Sequence, residues 1–86
     1  MNNDELKKIY KQLELLIGSV YEKYRDQFSS KDREDYEEMF AQGEYELVME
    51  TLLGSIKEHS IKLDSISEDT VNKIYKLMEI ERPVIE

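Results

Sequence analysis

The stretch DELKKIYKQLELLIGSV, residues 4–20, decides the fold. Its apolar residues Leu6, Ile9, Leu13, Leu16 and Val20 recur at alternating spacings of three and four. That period keeps them on one stripe of an α-helix and would scatter them over both faces of a strand. Asn2, Asn3 and Asp4 all offer a side-chain oxygen to the unpaired amides of the first turn, so the helix starts near Asp4. Gly18 weakens a helix by about 1 kcal/mol relative to alanine and leaves a bend or break open there. Tyr21, Tyr24 and Phe28 continue the spacing. Either a continuation or a second, shorter helix therefore runs to about Gln27.

The same period recurs downstream. In KDREDYEEMFAQG, residues 31–43, Tyr36, Met39 and Phe40 form an apolar edge. Gly43 falls where a left-handed C-terminal cap favours a residue without a Cβ, which predicts a helix over about 31–42. In the next segment Tyr45, Val48, Met49, Leu52 and Ile56 share one face, with Leu47 and Leu53 outside it. So wide an apolar arc predicts a central helix with neighbours on two sides. Gly54, on the side of Leu47, is expected to admit another helix closely. Residues 59–65 show no clear period. Ser67 reads as an N-cap and Ile66 as a staple against Val71, predicting a last helix from about Glu68. Val71, Ile74, Tyr75 and Met78 supply its buried face, and Pro83 stops any continuation. With no repeat and no alternating strand, the expected architecture is all-α: a compact bundle of four to five short helices. Residues 1–82 form a single domain and 83–86 a frayed tail.

Composition narrows the function classes. Eighty-six residues bury a modest core, with little room for a deep catalytic pocket as well. The chain has no cysteine, which removes disulfides and thiolate metal sites and fits a reducing, cytoplasmic setting. Acids and lysines interrupt the first twenty residues, so no secretory signal is read there. No apolar run exceeds three residues, as at Leu15 to Ile17, which falls far short of the roughly 18 residues a membrane span requires.

Charge is the distinctive feature. Eight of the chain's twenty carboxylates lie in residues 31–50, answered there only by Lys31 and Arg33. The segment thus carries minus six of the formal minus eight. A concentrated negative field repels phosphate backbones and anionic lipid, which argues against direct nucleic-acid or membrane binding. It also speeds encounters with a basic protein surface.

Helical geometry points Glu34, Glu37 and Glu38 away from the apolar edge of their helix. Glu34 and Glu38 are like charges one turn apart, as are Glu46 and Glu50, an arrangement that costs a few tenths of a kcal/mol. The plainer reading is a solvated face. Read as a docking surface, these five carboxylates supply the charge, while Tyr36, Tyr45 and Leu47 supply apolar anchors. Glu44 is favoured by the helix dipole alone. Tyr10, Tyr24 and Tyr75 fall on core stripes. The single histidine, His59, has no second histidine or cysteine to share a metal with, and no serine sits in a nucleophile elbow. The glycines are too isolated to cradle a phosphate. No enzyme, cofactor or metal site is expected.

The segment GEYELVMETLLGSIKEHSIKL, residues 43–63, resembles the core motif of the MafI-type immunity proteins, small acidic helical antidotes to bacterial polymorphic toxins. The elements of that pattern correspond here to Gly43-Glu44-Tyr45, Val48-Met49-Glu50, Leu52-Leu53, Glu58 and Ile61, followed by the helix containing Val71 to Met78. Val48-Met49 departs from the Ala-Leu usual in the family, a volume-tolerant change. The resemblance covers about half the chain. Its role is similar to that of contact-dependent growth inhibition immunity proteins, each of which binds and blocks one toxin. It implies non-covalent neutralisation of a cognate toxin domain, a basic nuclease by the charge map. The other function class open to the same acid is a helical adapter or nucleic-acid mimic acting on a transcription or translation factor. Oligomeric state stays open at this stage.

Overall fold

The computed structural model describes residues 3–83. Four α-helices follow one another: α1 (Asn3–Tyr24), α2 (Ser30–Ala41), α3 (Tyr45–Glu58) and α4 (Ser65–Met78). A single 3-10 turn, Arg25–Gln27, joins α1 to α2. No strand occurs among the described residues. The expected all-α bundle is therefore the fold, with four helices rather than five. Gly18 neither bends nor breaks the chain enough to end α1, because its neighbours Ile17 and Val20 are locked into the core on the same stripe.

Side-chain ties fix the helix directions. Tyr24 at the end of α1 meets Ser67 in the first turn of α4. At the other end, Leu6, Ile9 and Leu13 of α1 line one groove with Leu77 and Met78 of α4, so these two helices are antiparallel. His59, just past α3, reaches Asp32 at the start of α2, and Tyr45 at the start of α3 reaches Glu14 and Tyr10 of α1. The chain thus runs up, down, up and down. One contiguous core fills the interior, centred on Ile17, Met49, Leu52, Ile56 and Ile74, none more than 1% exposed. Fully burying each such side chain contributes roughly 1.5–3 kcal/mol. The Cα radius of gyration is 12.6 Å, close to the roughly 12 Å expected at this length.

The helix ends follow one chemistry. α2 opens on Ser29, whose hydroxyl accepts from the Asp32 amide at 3.1 Å. It closes on Gly43 at φ +72°, with the Gly43 amide donating to Phe40 and the Glu44 amide to Met39. This is the paired capping pattern in which a left-handed residue satisfies two orphan carbonyls. α3 and α4 end in the same way, but on Ser60 (φ 52°) and Glu79 (φ 57°), with Ile61 donating to Ile56 and Ile80 to Tyr75. α4 therefore stops at Met78, before Pro83 can act. Its fold-back brings Arg82 to 2.8 Å from Glu68 and 2.6 Å from Asn72. The frayed tail expected after Arg82 falls largely on residues 84–86, outside the described residues.

Two sequence expectations about local structure change. α4 starts at Ser65, capped by Asp64, whose carboxylate accepts from the Ser67 amide at 2.7 Å. Ser67 is not the cap, because it is buried and its hydroxyl meets Tyr24. Ile66 is 72% exposed and staples nothing. Gly54 has no atom within 4 Å of where a Cβ would stand, so no helix uses it for close approach. α3 instead presses on α2 and α1 through Val48, Met49, Leu52, Leu53, Ser55 and Ile56.

Candidate protein-interaction surface

α2 and α3 form an antiparallel hairpin across the Gly43 turn, and this hairpin carries the acidic segment. Of its eight carboxylates two are answered within the protein. Asp35 lies 3.6 Å from Lys31, and Asp32 lies 3.2 Å from His59. Partial burial pulls Asp32 upward, yet hydrogen bonds from His59, Ser55 and Ser29 win and hold its carboxyl below the ordinary range. Glu34, Glu37, Glu38, Glu44, Glu46 and Glu50 are all exposed, and no ion pair reaches them among the described residues.

These six do not form one patch. Burial first, then Tyr21, Glu22 and Glu37, push up the Tyr36 hydroxyl, so Glu37 shares a neighbourhood with Glu22 of α1. Glu50 and Glu46 lie on the side facing α4. There burial and then Glu50 raise Tyr75 to about 12, with Glu46 adding to the effect. Glu34 and Glu38, one turn apart on α2, are both exposed. The acid therefore wraps the hairpin rather than marking a single spot.

The three apolar anchors proposed from sequence fare differently. Leu47 is 44% exposed on the outer side of α3 and remains available. Tyr45 is half-buried, and its hydroxyl donates to the Glu14 carboxylate. Burial first and that carboxylate next push Tyr45 up to about 12. Tyr36 is the correction. It is 5% exposed, with its ring 3.6 Å from that of Tyr21 and within 5° of parallel. It holds α1 to α2 and cannot serve as a docking anchor. Tyr10 moves the other way: expected on a core stripe, it is 48% exposed and pairs with the Tyr45 ring at a tilt, centroids 5.9 Å apart.

His59 also differs from its sequence reading. The fold brings Asp32 and Glu58 to it, and one donor atom from each of the three lies within 4.8 Å of the others. Asp32 is 27 residues away, so no local spacing could reveal the group. Its observed role is to latch the open end of the α2–α3 hairpin.

A polar junction, buried at Tyr24 and Ser67, ties the end of α1 to the start of α4. The Tyr24 hydroxyl donates to Ser67 Oγ at 3.1 Å and accepts from the Asp64 amide at 3.1 Å. Asp64 also pairs with Lys23. That pairing first, and the Ser67 amide second, lower the Asp64 carboxyl to about 2. Every member has a partner, and the group organises structure rather than chemistry.

Among the described residues no helix is long and apolar enough to cross a membrane. No protein-family model matches the chain, and no curated protein or solved structure matches it either.

Proposed function

We propose that this chain is an immunity protein that binds a cognate bacterial toxin domain, a basic nuclease, and neutralises it without covalent chemistry. The observation that carries the reading is the set of six carboxylates on α2, α3 and the turn between them, exposed and unanswered by any cation of the described residues. Such charges destabilise an isolated fold slightly and gain their partner energy only when a basic surface arrives. The resemblance of residues 43–63 to the MafI-type motif supports the role, and the charge distribution supports the mechanism. Carboxylates of Glu34, Glu37, Glu38, Glu46 and Glu50 pair with lysines and arginines that otherwise hold substrate phosphates. Leu47 and the exposed edge of Tyr45 supply apolar contact at the centre. Because the acid wraps the hairpin, a concave basic surface fits better than a flat one.

The test takes as its probe any nuclease-like domain encoded beside the gene for this chain, with binding measured by calorimetry across a salt series and protection measured by growth; absence of such a domain rejects the role. The quadruple variant Glu34→Lys, Glu38→Lys, Glu46→Lys, Glu50→Lys is expected to lose at least 100-fold in affinity and to flatten the salt dependence. Unchanged affinity with an unchanged salt slope rejects the electrostatic mechanism. Failure of the wild-type chain to protect cells from that toxin rejects the role.

A further inference from the structure

The helices of the bundle are mismatched in length. α1 has 22 residues and α4 has 14, about 33 Å against about 21 Å at 1.5 Å per residue. Their register is set where Tyr24 meets Ser67. Eleven residues back along α1 and eleven on along α4, Leu13 stands level with Met78, so the first ten described residues of α1 run past the end of α4 by about 15 Å. The apolar stripe of α1 does not stop with its partner. Leu6 and Ile9 extend it beyond the last turn of α4, and Tyr10 flanks it, nearly half exposed.

The result is a groove of about 310 Å³. Leu6, Ile9 and Leu13 form one wall and Leu77 and Met78 the other, with Tyr45 at the foot of α3 closing the end. Among the described residues its charged lining groups are Glu46 and Glu79, and Glu14 stands behind Tyr45. The far side of the same α1–α4 seam is the reverse: Gln12, Lys73 and Lys76 surround Leu77 there. The seam is therefore electrically one-sided. An apolar slot whose described charged fringe is acidic selects an apolar side chain with cationic neighbours, and the lysines across the seam fix which way those cations face.

We infer that this groove seats an apolar side chain borne on a basic, amphipathic segment of the partner protein. The inference rests on the binder reading above and adds a location to it, on α1 and α4 rather than on the acidic hairpin alone. The partner's cations lie toward Glu46 and continue along Glu50, while its anchor enters between Leu6 and Leu77.

The test titrates the full chain, followed by amide NMR, with a synthetic twelve-residue peptide bearing leucines at helical spacing and lysines elsewhere. A scrambled peptide of identical composition is the control. Shifts are expected to centre on Leu6, Tyr10, Leu13, Tyr45 and Leu77, and scrambling is expected to weaken binding at least tenfold. Tyr10→Ala, at an exposed site that leaves the fold intact, is expected to weaken it at least fivefold. Equal binding of both peptides, or shifts confined to Glu34, Glu37 and Glu38, overturns the proposal, since charge alone then suffices. Shifts that depend on protein concentration without peptide assign the groove to a second copy and overturn it too. With the toxin domain as ligand, an affinity untouched by Tyr10→Ala but abolished by the quadruple charge reversal removes the groove and leaves the wider reading standing.

Discussion

Tyr24 and Tyr75 carry the same side chain at the same depth and are expected to respond oppositely to loss of the hydroxyl. Tyr24 uses its oxygen twice, toward Ser67 and from the Asp64 amide, so Tyr24→Phe strands two partly or wholly buried groups and costs about 1–3 kcal/mol. The Tyr75 oxygen is buried with no hydrogen-bond partner among the described residues. Tyr75→Phe therefore leaves stability unchanged or raises it by up to about 1 kcal/mol. Urea denaturation of the two variants checks both, and equal losses would contradict the hydrogen-bond assignment. Asp64 sets a pH dependence beside them. Its carboxyl is lowered to about 2 by Lys23 and then the Ser67 amide, below the roughly 3.9 of an unfolded chain. Its contribution is complete above about pH 4 and is lost as pH falls through 2. Asp64→Asn should flatten the fall in thermal midpoint between those limits, and a variant whose acid limb matches the wild type would locate the loss elsewhere. At this scale the sequence was least legible. Tyr36 and Tyr10 both obey the helical period, but Tyr36 is buried under the Tyr21 ring, whereas Tyr10 meets the Tyr45 ring alone among aromatic neighbours of the described residues and stays nearly half exposed. Period reports the face a residue occupies and is silent on whether another helix arrives to cover it.

At the scale of the helices, the C-terminal caps make a controlled comparison. Three helices close with the same hydrogen-bond pattern, one on glycine and two on Ser60 and Glu79 at positive φ. A residue with a Cβ pays steric strain in that conformation of roughly 1–2 kcal/mol, partly offset by the greater entropy glycine loses on folding. Ser60→Gly is accordingly expected to stabilise the protein by about 0.5–1 kcal/mol. A fall in melting temperature for Ser60→Gly would show that the serine hydroxyl holds something the backbone pattern does not. The same comparison explains what could be read in advance. Gly43 announced its turn because glycine is the residue such a turn favours. Ser60 gave no such signal, so residues 59–65 read as formless and the start of α4 was placed three residues late. Ser67 had the composition of a cap, yet the true cap is Asp64, freeing Ser67 to enter the core. The four helices themselves were plain in the three-and-four spacing, because α1 from Leu13 onward, α3 and α4 each bury one face and α2 sets Tyr36 into the core with Met39 and Phe40 half-buried beside it.

Across the whole molecule, the unanswered carboxylates act on the fold as well as on any partner. Net charge of minus eight on a body 39 by 25 by 18 Å places like charges well within the Debye length of about 30 Å at 10 mM salt, which shrinks to about 8 Å at 150 mM. Screening relieves that repulsion. The melting temperature is expected to rise between those two sodium chloride concentrations, read by circular dichroism. A constant or falling midpoint would mean that attractive pairs such as Arg82–Glu68 dominate the balance. The acidity itself was fully visible in composition, but its distribution was not. Helical arithmetic sorted Glu34, Glu37 and Glu38 outward, whereas the division of Glu37 from Glu46 and Glu50 depends on how the hairpin sits against α1 and α4. The groove was hidden for the same reason, since a length mismatch between two helices exists only once their register is known.

The rings of Tyr21, Tyr36, Phe40, Tyr45 and Tyr10 follow one another across three helices, each centroid 3.6 to 6.1 Å from the next. The chain has no tryptophan, so nothing outshines them in the near ultraviolet. This relay is a native optical gauge of tertiary order, reporting on the interior at its Tyr21 end and on the groove at its Tyr10 end. A ligand that engages Tyr10 and Tyr45 would announce itself spectroscopically without any label being attached.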